Sequence, residues 1–263
     1  MNALDRAIAL VFFSGLAAGP AGATTTTNYS DQWWVPAESG WGASVQQQAD
    51  TIVVGLLVYG SDGQPRWFSA TAPLQAATGS GHDVFAGDLH ESTGPWFGTT
   101  FNPALVTTRK VGALTFDATS FGSATLSYTI DGAAVVKSVA RQTWAREDLS
   151  GHYKAVWNFG CSVGIGGTEW GYTDTVIRQN ADETVTMEVS PWATWYFDDE
   201  TYHLTGTYAQ SGHLGMIKAN LDSPAGTMTI VDIEPTAIGF TARISNNTLF
   251  DCPKEGRIVG IRD

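Results

Sequence analysis

The sequence predicts an all-β fold of two small antiparallel domains, each an up-and-down barrel (lipocalin- or avidin-like) or a sandwich. Three observations predict it. Thr, Val and aromatic residues, which favour a pleated, half-buried backbone, recur along the chain. Short strand-like runs alternate with turns drawn from 29 glycines in 263 residues, a spacing that fits sequential hairpins, with no helical crossovers for parallel strands. No segment after residue 23 sustains a capped helical period.

The first residues stand apart. Arg6 precedes an apolar run over residues 7–19, and Ala21-Gly22-Ala23 fits the small-residue rule for signal-peptidase cleavage. The run is short for a bilayer span of about 20 apolar residues, and Pro20 ends any helix. Residues 1–23 therefore read as a signal peptide, with a mature chain from about Thr24 that is periplasmic or extracellular. No cysteine stands at the cleavage site and no later stretch has the length and apolarity of a span, so neither a lipid anchor nor membrane insertion is expected.

In the first half the strand-like runs are 43–48, 52–59, 66–71, 84–89, 113–116, 125–130 and 135–143. Ser61-Asp62-Gly63 joins two of them as a hairpin turn. Leu126, Tyr128 and Ile130 alternate with Thr125, Ser127 and Thr129, the period of two of a strand buried on one side. The second half offers 153–158, 173–179, 185–189, 194–197, 203–209, 215–221, 228–233, 240–244 and 258–261. The charged patch Arg146-Glu147-Asp148 divides the chain into domains at 24–146 and 147–263. An old duplication would explain three local likenesses: Phe85 to Leu89 with His203 to Tyr208, Gly112 to Phe116 with Gly226 to Ile230, and Trp41-Gly42 with Trp170-Gly171.

Carboxylates outnumber Lys and Arg by 26 to 14, giving a net charge of −12. That balance argues against nucleic acid and anionic lipid as partners, and is compatible with neutral polymers, cations or plain solubility. In an oxidising compartment the two cysteines, Cys161 and Cys252, are expected to form a disulfide; two free metal-binding thiols are the competing reading. One follows the first strand of the second half and the other precedes its last. A meander that closes puts those strands side by side, and a bridge there would staple the seam.

Tryptophan is the outstanding feature, with ten in the chain, six of them in the first half: Trp33, Trp34, Trp41, Trp67, Trp96 and Trp144. Two readings compete: rings that fill barrel interiors, or an exposed platform for flat ligands such as sugar faces. Trp33, Trp34, Trp41, Trp67 and Trp96 are the candidate platform, with Glu38 as a polar contact at its rim. Trp33 and Trp34 are adjacent, so in a strand one is core and the other outward.

Catalytic signatures are missing. Glu38, Asp88 and Glu91 are the carboxylates from which a glycosidase pair would have to be drawn. The Asp198-Asp199-Glu200 run lacks the calcium-loop pattern. His82, His90, His152, His203 and His213 lack metal-ligand spacing. No nucleophile elbow, dinucleotide fingerprint or phosphate loop occurs, so no cofactor is expected.

The first half carries a recognisable combination. Trp33-Trp34-Val35-Pro36-Ala37-Glu38-Ser39-Gly40-Trp41-Gly42 is followed by Tyr59-Gly60-Ser61-Asp62-Gly63-Gln64-Pro65-Arg66-Trp67-Phe68, by Gly87-Asp88-Leu89, by Thr93-Gly94-Pro95-Trp96-Phe97, and by Lys137-Ser138-Val139-Ala140-Arg141-Gln142. Over about residues 30–144 this resembles a Trp-rich repeat domain of exported proteobacterial proteins. The resemblance implies export and a compact β unit, and no settled activity or catalytic residue comes with it. A looser resemblance to lipocalin- and avidin-like barrels implies a Trp on the first strand beside an Arg on the last: Trp41 with Arg141, and Trp157 with Arg257 or Arg262.

The expected function is non-catalytic: a secreted binding module for a glycan or another extracellular polymer. Two alternatives stay open. One is a carrier of a small apolar ligand inside a barrel. The other is a structural, adhesive or enzyme-accessory surface protein with a protein partner.

Overall fold

Strand alternation is the local rule from which the architecture follows. In the stretch Ser123–Ile130, Ala124, Leu126 and Tyr128 are buried while the residues between them are only partly covered. Repeated over the sixteen strands of the described residues, this pattern curls each sheet around its apolar face. The computed structural model describes residues 27–75, 81–161, 167–194, 201–222, 226–247 and 256–263. The chain is all-β and forms two closed antiparallel barrels of eight strands each, consecutive in sequence.

The first barrel comprises β1 (Asp31–Trp34), β2 (Gly42–Gln48), β3 (Thr51–Tyr59), β4 (Pro65–Pro73), β5 (Asp83–Thr93), β6 (Thr107–Ala118), β7 (Ser123–Ile130) and β8 (Ala133–Arg141). The second comprises β9 (Gly151–Cys161), β10 (Gly167–Gln179), β11 (Thr184–Thr194), β12 (Tyr202–Ser211), β13 (Leu214–Leu221), β14 (Gly226–Thr236), β15 (Gly239–Asn247) and β16 (Gly256–Arg262). Trp33 opposite Arg141 closes the first barrel, and a longer ladder from Phe159–Gly256 to Tyr153–Arg262 closes the second. Closure removes the exposed edges that an open meander would present. The charged patch at Arg146 falls in the connection between β8 and β9.

Each barrel is filled by its own side chains. Trp33, Ile52, Leu56, Phe85, Leu89 and Phe116 pack the first, and Tyr153, Trp157, Met187, Tyr208, Ile217 and Phe240 the second. In both, an aromatic ring of the first strand meets a Phe edge-on: Trp33 with Phe116 at 4.9 Å, and Tyr153 with Phe240 at 5.0 Å.

Several sequence expectations need correction. β1 was not among the expected strands; its four residues are too few to show a period. The run 194–197 is not a strand of its own as far as it is described, because Thr194 ends β11 and residues 195–197 lie outside the described residues. Residues 1–23 and Cys252 also lie outside them. Cys161 ends β9, and its side chain is likewise not described.

The duplication likenesses fare unequally. Gly112 to Phe116 and Gly226 to Ile230 both fall on the sixth strand of their barrel. Phe85 to Leu89 lies on a fifth strand, whereas His203 to Tyr208 lies on a fourth. Trp33 pairs with Ala43 as Tyr153 pairs with Thr175, so the position matching Trp41 is Thr173, not Trp170.

The repetition is carried instead by four hydrogen bonds at the start of each barrel. In the first, the Tyr29 amide donates to Gln47 Oε1 (2.8 Å), the Gln47 amide to Ser30 Oγ (2.8 Å), the Ser30 amide to Asn28 Oδ1 (3.0 Å), and Trp33 Nε1 to the Tyr29 carbonyl (3.1 Å). In the second, the Leu149 amide donates to Gln179 Oε1 (3.1 Å), the Gln179 amide to Ser150 Oγ (3.0 Å), the Ser150 amide to Asp148 Oδ1 (2.8 Å), and the Tyr153 hydroxyl to the Leu149 carbonyl (2.8 Å).

Candidate functional site

The first barrel has a sealed end and an open end. Arg141 seals the former. Its guanidinium lies 4.8 Å from the Trp33 ring and 5.6 Å from the Tyr29 ring. It donates to Asp31 Oδ2 (2.8 Å), the Phe121 carbonyl (2.5 Å) and the Asn28 carbonyl (2.7 Å). The aromatic partner of Arg141 is therefore Trp33, not Trp41. In the second barrel it is Tyr153 that lies 5.5 Å from Arg262, while Trp157 donates its Nε1 to Thr173 Oγ1 at 2.9 Å.

The second barrel docks on that sealed end. Gly212 and His213 form the two-residue turn between β12 and β13. The His213 amide donates to Asp31 Oδ2 (3.2 Å), and His213 Nδ1 lies 2.7 Å from the same oxygen. Gly212 has a φ of +62°, and a Cβ there would collide with the Asp31 carboxylate at 2.0 Å, so the close approach requires glycine. Thr27 Oγ1 donates to Asp232 Oδ2 (3.0 Å), which also accepts from Arg243 Nη2 (2.9 Å). Burial pushes the Asp31 carboxyl up, but hydrogen bonds from His213 and Arg141 outweigh it and hold the group below its usual value. Burial pulls the Arg141 guanidinium down against the attraction of Asp31. The opposite preferences still give an ionised pair, because a guanidinium keeps its proton at any pH the fold meets. These groups hold the two barrels together.

The open end is different. A cavity of roughly 640 Å³ is lined by Tyr59, Arg66, Phe68, Glu91, Arg109, Tyr128, Asp131 and Val135, among others. The Ser61-Asp62-Gly63 turn forms part of its rim; Gly63 has a φ of +72°, and Asp62 Oδ1 accepts from the Gln64 amide (3.1 Å). Arg109 Nη1 and Nη2 reach Asp131 at 2.7 and 2.9 Å, and Arg109 Nε reaches Glu91 at 2.9 Å. Burial is the main cause that raises the Tyr128 hydroxyl, with Glu38 adding to it. Past Leu89–Gly112 the β5–β6 ladder continues to Thr93–Thr107, whereas β4 pairs with β5 only at Ser69–His90 and Ala70–Leu89. The hairpin thus projects beyond the barrel as an arm, and its tip exposes Trp96 (67%), Phe97 (94%) and Phe101 (67%).

The candidate platform residues are dispersed. Trp33 is wholly buried in the core and leaves the platform. Trp34 is half-buried and lies opposite Ala140 at the barrel seam. Trp41 is half-buried, packs against the core, and donates its Nε1 to Glu38 Oε2 (3.1 Å). Lys137 Nζ lies 2.7 Å from the same oxygen and 5.7 Å from the Trp41 ring. Glu38 is thereby held as a carboxylate, its proton affinity lowered first by Lys137 and then by Trp41. Trp67 is 56% exposed on the outer face, opposite Leu57, between the cavity residues Arg66 and Phe68. Glu38, Asp88 and Glu91 are each engaged in a separate ion pair, with Lys137, Lys110 and Arg109.

Sequence reasoning missed Tyr59, Arg66, Arg109, Tyr128 and Asp131. One signal was available: Tyr59 and Arg66 flank the hairpin turn at Ser61-Asp62-Gly63, and Asp131-Gly132 has the form of a second such turn on the same chain. Nothing in the sequence shows that the two turns meet at one end. No protein-family model and no curated protein matches the chain.

Proposed function

We propose that the chain is an exported, non-catalytic binding module that holds an extracellular polymer at the open end of its first barrel. The observation that supports this most is the polar-lined cavity itself, with exposed Tyr59 on its wall, exposed Trp67 on the outer face next to its residues Arg66 and Phe68, and Trp96, Phe97 and Phe101 exposed on the arm whose residues Glu91 and Arg109 line it. Large exposed apolar surface marks interaction sites, and a concave site with a few placed polar groups is the usual form of a binding pocket. A ligand enclosed in the barrel is the weaker reading, since the interior positions of β3, β5 and β6 are filled by Ile52, Leu56, Phe85, Leu89 and Phe116. The apolar arm tip favours a second reading, attachment to a protein partner on the same exported surface.

The test is retention of the purified chain on insoluble wall and matrix fractions. Tyr59→Ala with Trp67→Ala is expected to abolish retention. Trp144→Ala, a more exposed ring in the connection between the barrels, is expected to leave it unchanged. Equal retention of both variants would remove the open end from the reading.

A further inference from the structure

We infer that the polymer held at this open end is an uncharged glycan. The inference rests on the open-end reading above and adds the ligand's chemical class.

The charges around the cavity supply the reason. Arg66 Nη2 lies 2.9 Å from Asp62. Arg109 spans both oxygens of Asp131 at 2.7 and 2.9 Å and reaches Glu91 at 2.6 Å. Lys137 reaches both oxygens of Glu38 at 2.9 and 2.7 Å. Every basic side chain of this group therefore has a carboxylate of its own chain already in place. A uronate, sulfate or phosphate polymer would have to displace Asp131 from its bidentate hold on Arg109, the strong geometry for a guanidinium, and Asp62 and Glu38 from Arg66 and Lys137. A polycation would have to displace a guanidinium or an ammonium in turn.

Hydroxyl groups face no such competition. A guanidinium carries five N–H donors and a carboxylate about four acceptor sites, and the ion pairs use only part of each set. What remains is a fixed array of donors and acceptors with little net field, and vicinal hydroxyls, each both donor and acceptor, can use both kinds. The flat apolar component is Tyr59. Gly40, at a φ of +110°, brings the backbone so near that a Cβ would stand 3.3 Å from the Tyr59 hydroxyl. The glycine leaves the hydroxyl unobstructed, and more than half of the residue stays exposed, a face open to the C–H side of a sugar ring.

The experiment is native electrophoresis of the full chain through gels containing one polymer each: xylan, mixed-linkage β-glucan or dextran as neutral glycans, alginate or heparin as polyanions, and gelatin as polypeptide. Retardation is expected in at least one neutral-glycan gel, unchanged between low and high salt. Tyr59→Ala is expected to weaken it about tenfold, and so is Arg109→Gln, with thermal unfolding confirming that both variants fold. Retardation only by alginate or heparin, lost in high salt and weakened by Tyr59→Ala, would overturn the neutral class and leave the open-end reading standing. Retardation only by gelatin would do the same. Retardation indifferent to both substitutions, or none in any gel, would overturn both.

Discussion

The two barrels begin alike and finish differently. Asn28, Ser30, Gln47 and Trp33 make the same four hydrogen bonds in the first that Asp148, Ser150, Gln179 and Tyr153 make in the second. Both place an Arg of the eighth strand against an aromatic ring of the first. Beyond that the environments part. Arg141 is covered completely and paired with Asp31, on which the second barrel's turn is seated. Arg262 stays at the surface, where its Nη2 lies 2.9 Å from the Tyr153 hydroxyl. The position equivalent to Asp31 is Gly151. The shared bonds fix the start of each barrel against its second strand, and the residues that depart from them are where the first barrel has a docked neighbour at one end and an aromatic, open end at the other.

Arg141→Met against Arg262→Met is the sharpest way to break this comparison. Removing Arg141 leaves the Asp31 carboxylate covered and without its main cation, a loss of about 3–5 kcal/mol for a buried pair. Removing the exposed Arg262 is expected to cost within about 1 kcal/mol. Urea unfolding followed by tryptophan fluorescence measures both. Equal losses would show that the two arginines do the same work and that burial by the second barrel contributes nothing.

The sequence foretold the all-β class and the paired barrels because the evidence for them is local: period-two runs, glycine turns and a lack of crossover helices. The site was harder to read for a physical reason. A tryptophan's identity is independent of which face of its strand turns inward, and β1 is too short for its period to show. Trp33 and Trp67 look equivalent as letters, yet Trp33 is core and Trp67 faces out. The cavity residues Arg66, Glu91, Arg109 and Asp131 come from separate hairpins, and only barrel closure brings them to one rim. The bonding of Gln47 and Gln179 to Ser30 and Ser150 was equally hidden, because it repeats in geometry while the sequences around it differ.

A second difference between the barrels is chemical. The first contains no cysteine, whereas Cys161 and Cys252 both belong to the second half. Phe159 pairs with Gly256 at the barrel seam, so Cys161 lies two residues past one partner and Cys252 four residues before the other. A disulfide between them is expected to contribute about 2–4 kcal/mol to the second barrel and nothing to the first. Hydrogen exchange with and without reductant resolves the two barrels separately; reductant should raise exchange in β9 and β16 and leave β1 and β8 unchanged. A mass showing two free thiols in protein recovered without reductant would end this expectation.

The smallest expected effect is a dependence on acid that belongs to the first barrel's sealed end. Asp31 is held below its unfolded-chain value of 3.8, because the hydrogen bonds from His213 and Arg141 outweigh the cost of burial. The unfolded chain therefore takes up this proton at a higher pH than the folded chain does. The contribution of Asp31 is complete above the unfolded value and is lost as pH falls through the folded one. Other carboxylates, Asp148 and Asp182 among them, are lowered in the second barrel, so a fall in stability on acidification is not by itself diagnostic. The comparison that isolates Asp31 is with Asp31→Asn, which keeps the shape and removes the charge. At neutral pH the wild-type chain should be the more stable of the two. As the pH is lowered below about 4 the gap should close, since protonation makes the native side chain neutral as well. Thermal unfolding of both proteins over that range measures the gap directly. A gap that stays constant into acid would show that the carboxylate's charge does not carry the contact between the barrels, and that shape alone seats the Gly212–His213 turn.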